Sequence, residues 1–399
     1  MKLWIEEKSC AGCAACANAC SKNAIEMVQN KSGFEYPQIQ DSCVNCSKCK
    51  NACPIVNRPI KEQSSTAPKT YVAWSLDGKN RYHSTSGGVF SEFCKIIFKD
   101  NGVAVGAQYG KNQRIEHIAI DDVSDLSKIR QSKYAQSYMG YIYREVKALL
   151  DENKPVLFCG CPCHASGLHA FLGKDYGNLY TFDFICRGSN SPKAYRKWLD
   201  MLESKYRGRA TRVWFKNKEL GWNNFSTRVD FDNGCVYRKD RYHDLFMRGY
   251  LEYNAYIRPS CTKCSYKGFP RISDITIADF WAVDKKYDHD IGSSMIIVNT
   301  SQGKKLFDEA KKSMFFMERT LSEARKGNAM LDKSTWLHPK SDMFFSFLDK
   351  MPFDKAFNKT FYKEERKKKA VKRNRRIGML FKSVKQIARA FAVKLLRGK

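Results

Sequence analysis

The sequence is poor in several features that define other protein classes. Its 399 residues contain no apolar run of about 18 residues, so no transmembrane helix is predicted. The first ten residues, MKLWIEEKSC, lack the apolar stretch and small-residue cleavage site of a secretion signal, so we expect a cytoplasmic protein. Acidic residues are also scarce, since 41 Asp and Glu stand against 70 Lys and Arg, for a net charge of +29. This excess favours acidic partners.

The positive charge is concentrated towards the C-terminal end. Residues 361–399 hold 15 Lys and Arg against 2 Glu, and we treat 360–399 as a separate basic tail. Within 377–395, apolar residues recur at spacings of three and four, which predicts an amphipathic helix. Such a helix can bind an anionic membrane surface from the cytoplasmic side; a solvated or partner-docking helix is the alternative. No recognised reader fold accompanies the charge, so nucleic acid is not an expected partner.

Cysteine, by contrast, is abundant, with 16 residues. Because thiols stay reduced in the cytoplasm, we interpret them as metal ligands rather than disulfides. Residues 1–60 contain two C-x2-C-x2-C-x3-C runs, a spacing typical of 4Fe–4S ferredoxins in which the fourth cysteine of each run ligates the other cluster. The first cluster site is therefore predicted to comprise Cys10, Cys13, Cys16 and Cys53, and the second cluster site Cys43, Cys46, Cys49 and Cys20. Structural zinc gives no reason for two such runs.

From residue 70 onward the sequence has the alternating strand and helix patterns of an α/β domain. The polar stretch 58–69 predicts a linker, and the domain that follows is expected to span 68–345. Strands are predicted at 103–110, 115–122, 155–160, 179–186, 272–281 and 293–300, and helices at 144–153, 192–206 and 304–312. Three alternating segments near an Asn-Gly turn predict an antiparallel insertion. The predicted fold is an α+β ferredoxin-like dicluster domain followed by an α/β domain with a mixed, mostly parallel sheet.

Four of the remaining cysteines lie in notable positions. Cys163 and Cys186 follow predicted strands, and Cys261 and Cys264 form a C-x2-C pair. Because the carboxyl ends of parallel strands meet at one edge of a sheet, these cysteines could converge there. Structural zinc or inert buried thiols are the alternatives. Cys94, within an apolar helical pattern, is interpreted as a core residue.

The segments around these cysteines resemble a known family. GCPCHASGL, FDFICRGSNSP, RPSCTKCSYKG and SDITIADFW, preceded by STSGGVFSEF and SKYAQSYMG, are similar to motifs of the beta subunits of coenzyme F420-reducing hydrogenase and dehydrogenase. The resemblance covers roughly residues 70–310 and implies a flavoprotein domain that holds FAD beside a 4Fe–4S cluster. The ligands of this third cluster would be Cys163, Cys186, Cys261 and Cys264, and Cys161, which replaces a threonine, could compete with them.

The same resemblance implies which residues contact the flavin. They are Ser86, Gly87 and Gly88 at the start of a helical run, and Ser132, Lys133, Tyr134, Gln136 and Ser137 in a second segment. A glycine-rich helix start can accept a phosphate, although a helix cap and an ordinary polar loop are the alternatives. Asp279 stands in a third family segment. His164 could be a catalytic proton donor, and the alternative is a histidine that is merely packed or that supports a cluster ligand.

Together these features predict an iron–sulfur flavoprotein oxidoreductase. Electrons would pass between a ferredoxin or another redox protein, the clusters and FAD, which would reduce or oxidise a two-electron substrate. The resemblance suggests coenzyme F420 as that substrate, or a sugar-linked metabolite of surface-polysaccharide biosynthesis. A non-catalytic electron-relay subunit of a larger redox complex is the alternative, and a zinc-stabilised nucleic-acid binder is a third hypothesis.

Overall fold

The computed structural model describes residues 4–60, 68–281, 283, 284, 286, 287 and 289–368. Its helices are α1 (Ala15–Ala19), α2 (Lys48–Asn51), α3 (Gly78–His83), α4 (Val89–Lys99), α5 (Leu126–Ile129), α6 (Ile142–Asp151), α7 (Pro162–Leu172), α8 (Pro192–Tyr206), α9 (Leu245–Leu251), α10 (Ser301–Ala310), α11 (Leu321–Arg325) and α12 (Ser341–Leu348). Its strands are β1 (Ile25–Gln29), β2 (Glu35–Ile39), β3 (Lys69–Ser75), β4 (Val103–Tyr109), β5 (Ile115–Ile120), β6 (Val156–Cys159), β7 (Leu179–Phe184), β8 (Ala210–Asn217), β9 (Ser226–Phe231), β10 (Val236–Asp240), β11 (Ile275–Asp279), β12 (Ser294–Val298) and β13 (Met314–Arg319). Residues 353–368 form a further helical segment, and the amphipathic helix predicted at 377–395 lies outside the described residues. Within that described part, no helix combines the length and the apolar character needed to cross a bilayer.

Residues 4–60 form an N-terminal domain in which the two cysteine runs fold alike. The residue before the second cysteine of each run, Gly12 or Asn45, and the residue after it, Ala14 or Ser47, have positive φ angles between 54° and 68°. These left-handed residues turn the chain around its cysteines and lead into α1 and α2. An antiparallel hairpin of β1 and β2 joins the two runs. The repeated spacing thus produces a repeated backbone geometry.

Residues 68–368 form a sheet domain built on eight strands. The strand order is β13-β3-β12-β11-β7-β6-β4-β5. The central strands β11, β7, β6 and β4 are parallel, and the strands on either side pair antiparallel. The prediction of a mixed sheet is therefore confirmed, with the parallel pairing confined to its core. Strands buried on both faces need continuous apolar sequence, which is why these segments are recognisable in the sequence.

Helices cover both faces of the large sheet. α4 and α10 pack on one face around Phe93 and Phe307, and α6 and α7 pack on the other around Phe158 and Leu168. A separate aromatic core joins α8 and α9 to the three-stranded antiparallel sheet of β8, β9 and β10. This smaller sheet is the predicted insertion, and β9 and β10 form the predicted hairpin.

The N-terminal domain packs directly against α7. Cys13 belongs to the same apolar core as Leu168. A Cβ atom at Gly167 would lie 3.0 Å from the Cys13 Sγ atom, so the glycine lets α7 approach the cysteine. Arg144 of α6 adds a hydrogen bond of 2.6 Å from its guanidinium to the Cys20 carbonyl oxygen. Apolar packing and hydrogen bonds together fix the N-terminal domain against the sheet domain.

Candidate functional site

The first cluster site lies between the N-terminal domain and α7. Cys10, Cys13, Cys16 and Cys53 are all buried and line one cavity of about 20 Å³. Backbone amides point at the sulfurs, as in the hydrogen bond of 3.4 Å from Gly12 N to Cys10 Sγ. Burial raises the pKa of Cys10, Cys13 and Cys16, so their thiolates need a nearby positive centre such as iron. These contacts support the ligand set, which stays a prediction.

The second cluster site lies at the surface of the same domain. Cys46 is exposed, and Cys20, Cys43 and Cys49 are half-buried. Cys49 interacts electrostatically with both Cys20 and Cys43. The fourth cysteine of the first run therefore lies with the second run, as an exchange of fourth ligands requires.

Five cysteines, rather than four, meet at the third site. Cys161, Cys163, Cys186, Cys261 and Cys264 line one cavity of about 60 Å³. Gly188 N lies 3.3 Å from Cys186 Sγ, and Ser189 N lies 3.4 Å from Cys261 Sγ. The Cys161 thiol contacts those of Cys163 and Cys186, so Cys161 lies close enough to compete with them as a ligand. The identity of the four ligands among the five stays a prediction.

The surroundings of the third site fit an anionic cluster. Lys267 Nζ donates to the Cys186 carbonyl oxygen at 2.5 Å, and Arg187 and Arg271 line the same cavity. A hydrogen bond with Cys161 and the charge of Lys267 lower the pKa of Cys186 to about 6. Cys161, Cys163 and His164 also lie close enough together to bind a single metal ion, so a third cluster at this site stays a prediction.

A group of buried charges, which we call the cation cleft, lies beyond the ends of β3, β8 and β11. It comprises Arg81, Lys216, Lys218 and Asp279. Lys216 Nζ lies 2.5 Å from one Asp279 oxygen, and the Ser86 hydroxyl donates to the other. Lys218 Nζ donates to the carbonyl oxygens of Arg81 and Ser86 at 2.7 and 2.6 Å. The cleft thus connects the predicted phosphate-binding segment to the aspartate of the third family segment.

Positive charge dominates this cleft. The Lys216 side chain is 3% exposed and Lys218 is 4% exposed. Burial lowers the pKa of Lys218 to about 6; the charge of Asp279 opposes this shift, whereas the charges of Lys216 and Arg81 add to it. Lys216 is paired with Asp279, and burial favours the neutral form of Lys218. The two amino groups are donors of the kind that a phosphate accepts from, and a flavin pyrophosphate at this place stays a prediction.

The other predicted flavin residues of the first two segments have varied surroundings. Ser132 N donates to Thr85 Oγ1 at 2.8 Å, so the segments do meet beside Ser86. A Cβ atom at Gly87 would lie 2.5 Å from the Ala73 carbonyl oxygen, so strand packing alone accounts for this glycine. Gly88 is the left-handed N-cap of α4, which also agrees with the helix-cap alternative.

The second predicted segment divides between three locations. Lys133 Nζ donates to the Arg130 carbonyl oxygen at 2.6 Å, and burial lowers its pKa to about 7. Tyr134 packs against Tyr250, with 5.5 Å between ring centroids. Gln136, however, donates to the Gly12 carbonyl oxygen and accepts from Arg258 at the N-terminal domain. Ser137 is hydrogen-bonded to His117 at 2.7 Å. The side chains of Gln136 and Ser137 are therefore engaged away from the cation cleft.

His164 lies at the wall of the third site. It is buried, and its ring lies 5.3 Å from that of His117. Burial lowers the pKa of His164 to about 3, so the ring is neutral at neutral pH. A neutral imidazole with so low a pKa is a poor proton donor. This environment favours the packed-histidine alternative.

Sequence reasoning missed several charged residues of these sites. Lys216 and Lys218 alternate along the end of β8, so a period of two places both on one face, and this signal is present in the sequence. Arg258, three residues before Cys261, has no such signal because its partners lie far away in the chain. Trp222, which stacks on Trp281 at 4.5 Å, is another residue that only the tertiary structure brings to the cleft.

Two family models match the chain, one over the N-terminal domain and one within the sheet domain. Residues 3–59 match the family model described as 4Fe-4S dicluster domain, and residues 153–324 match the model for the C-terminal part of the coenzyme F420 hydrogenase/dehydrogenase beta subunit. The chain thus combines a match to the dicluster domain family with a match to the C-terminal part of the F420 hydrogenase/dehydrogenase beta-subunit family. The dicluster domain corresponds to the N-terminal domain, and the beta-subunit match covers the part of the sheet domain that carries all five cysteines of the third site.

Other comparisons add less. No curated protein matches the chain. Among solved structures, a chain of the F420-reducing [NiFe] hydrogenase complex from Methanosarcina barkeri is similar, with 15% identity and a TM-score of 0.45 over 77% of this chain and 95% of that chain. A likeness this distant supports no further argument about activity.

Proposed function

We propose that this protein is an iron–sulfur flavoprotein oxidoreductase that passes electrons between a small redox protein and a two-electron substrate. The observation that carries the proposal is that neighbouring sites interact electrostatically in series, from the surface of the N-terminal domain to the cation cleft. The beta-subunit family match makes coenzyme F420 the first substrate to test, and a sugar-linked metabolite the second.

The first two steps of the series join cysteines that interact electrostatically. Cys16 of the first cluster site interacts with Cys49 of the second. Cys13 of the first site interacts in turn with Cys163 of the third. Ala11, from the first cysteine run, lines the third cavity itself. Adjacent sites of this kind are what short electron-transfer steps require.

Aromatic residues connect the third site to the cation cleft. Tyr250 interacts with Cys186 and packs against Tyr134, and Tyr134 interacts with Asp279. Tyr250 is buried and Tyr134 is half-buried, so this pair of rings would lie on a route from the third site towards the cleft.

FAD, when bound, would supply the exchange between single electrons and a hydride. Lys216, Lys218 and Arg81 would bind its pyrophosphate. Asp279 would keep Lys216 in place through their ion pair, and the Ser86 hydroxyl would orient that carboxylate. The stacked indoles of Trp222 and Trp281 would close one side of the cleft to water.

The partner side of the proposal lies at the second cluster site. Lys48 and Lys50 flank Cys49, and Val44 next to Cys43 is 59% exposed. Basic and apolar groups around an accessible cluster suit an acidic redox protein such as a ferredoxin.

Anaerobic purification with metal and flavin analysis tests the proposal. We expect about twelve irons per chain and one FAD, because three cubane clusters hold four irons each. The double variant Lys216→Met and Lys218→Met should lose FAD and keep the iron. Lys239→Met, an exposed lysine on β10, is the matched control and should keep both. About eight irons without flavin would instead leave the relay-subunit alternative.

The pH dependence of FAD binding gives a second test. Pyrophosphate would raise the lowered pKa of Lys218, so binding would take up a proton. Affinity should then fall by up to about tenfold for each pH unit above pH 6 until the raised pKa of the complex is reached. Flavin fluorescence titrations between pH 6 and 9 measure this slope, and a flat profile would contradict the role of Lys218.

A further inference from the structure

Arg258 is a buried cation at the junction between the N-terminal domain and the third site. It is 1% exposed and is among the largest fully buried side chains of the described residues. Its carbonyl oxygen accepts a hydrogen bond from Cys261 N, so it belongs to the turn that carries a third-site cysteine. Its side chain, however, reaches into the first cysteine run.

The guanidinium donates hydrogen bonds to three neutral oxygens. Nε donates to the Cys10 carbonyl oxygen at 2.8 Å, and Nη2 donates to the Glu35 carbonyl oxygen at 2.9 Å. Nη1 donates to Gln136 Oε1 at 2.9 Å. The guanidinium carbon also lies 4.2 Å from the ring centroid of Tyr36. These contacts fix its position but do not neutralise its charge.

A buried guanidinium needs an anion. Within the part of the chain that the structure describes, Arg258 forms no ion pair with a carboxylate. Glu35 is a carboxylic acid that interacts with the charge of Arg258. Burial raises the pKa of Glu35 to about 7, so it is only partly ionised at neutral pH. The Arg258 side chain does contact the Cys10 thiol. The thiolates of the first cluster site are thus the nearest source of negative charge.

We propose that Arg258 is the counter-ion of the first cluster site and raises its reduction potential above that of the second. A buried positive charge favours the more negative, reduced state of a cluster, and a low dielectric strengthens the effect. Two runs of equal spacing would thereby hold clusters of unequal potential, with electrons drawn from the surface site to the inner one. The proposal rests on the dicluster assignment and is independent of the flavin.

Arg144 provides a matched comparison. It also crosses to the N-terminal domain, where its guanidinium donates to the Cys20 and Asn18 carbonyl oxygens at 2.6 and 2.7 Å. Unlike Arg258 it is half-buried, so solvent screens its charge. If docking were the only role of such arginines, the two residues would behave alike.

EPR-monitored redox titration of the anaerobically purified protein tests the inference. The first-site signal is assigned as the one that is lost in a Cys13→Ala variant and persists in a Cys46→Ala variant. Arg258→Gln should shift the midpoint potential of that signal to a more negative value, and Arg258→Lys, which keeps the charge, should retain most of the original potential. Arg144→Gln should leave the first-site potential unchanged.

Three results would overturn the inference. They are an unchanged first-site potential in Arg258→Gln, an equal negative shift in Arg144→Gln, and a shift in Arg258→Lys as large as that in Arg258→Gln. If Arg258→Gln fails to fold or loses its iron, the Arg258→Lys potential decides: a retained potential supports the role of charge, and a lowered one refutes it.

Discussion

The two cluster sites of the N-terminal domain have the same cysteine spacing and opposite environments. The first-site cysteines are 8–9% exposed, and Cys13 belongs to a core shared with the sheet domain. The second-site Cys46 is exposed, beside the exposed side chain of Val44. Spacing therefore predicts which atoms bind iron, whereas domain packing decides which site faces inward and which faces solvent. Specific substitutions should test each difference between the first and second cluster sites.

The largest expected difference concerns the loss of a ligand. Cys13→Ala removes a ligand that also packs against Gly167, so we expect a loss of about four irons and a fall in unfolding temperature of about 5 °C or more. Cys46→Ala should lose a similar amount of iron with a much smaller fall in unfolding temperature, because Cys46 is exposed to solvent. Iron analysis and anaerobic thermal unfolding measure both. Equal falls in unfolding temperature would show that burial of the first site does not stabilise the docked domain.

The two cluster sites should also differ in how fast a reagent in solution reaches them. A hydrophilic chelator added to the oxidised protein should remove iron from the second site faster by on the order of tenfold or more, since the first site opens only when the N-terminal domain leaves α7. Samples withdrawn at intervals and reduced before measurement show the loss of the first-site and second-site EPR signals, which gives the two rates. The Arg144→Gln variant, which weakens the contact between the domains, should reduce the difference between the two rates. Indistinguishable rates in the unmodified protein would contradict the assignment of one site as buried and the other as exposed.

The charge near the second site should affect the partner more than the protein itself. Lys48→Glu combined with Lys50→Glu should slow electron transfer from an acidic ferredoxin by about tenfold at low salt, because long-range attraction accelerates encounter. The difference should vanish at high salt. Stopped-flow mixing measures the rate, and Lys305→Glu, an exposed lysine on α10, is the control that should change it little. An equal effect of the control would mean that net charge, rather than this surface, recruits the partner.

The contrast between the sites also shows what sequence can predict. The strands of the parallel core and the β9–β10 hairpin are recognisable from neighbouring residues, and the sequence predicts them correctly. The position of β3 between β12 and the edge strand β13 depends on pairings across more than 200 residues. Gln136 is predicted to contact flavin because its segment resembles a family motif, yet its amide meets Gly12 and Arg258. Local patterns identify chemical groups, and only tertiary packing decides which of them meet.

The smallest expected difference concerns the apolar part of the partner surface. Val44 is 59% exposed beside Cys43, and burying its methyl groups under a partner would contribute about 1 kcal/mol. Val44→Ser should therefore weaken ferredoxin binding by about fivefold, seen as a higher KM for the carrier at a salt concentration that screens charge. Val236→Ser changes a valine that is 45% exposed on the three-stranded sheet and should leave the KM unaltered. If both variants raise the KM equally, the exposed valine at the second site does not mark the docking surface, and the carrier must approach the clusters from another side.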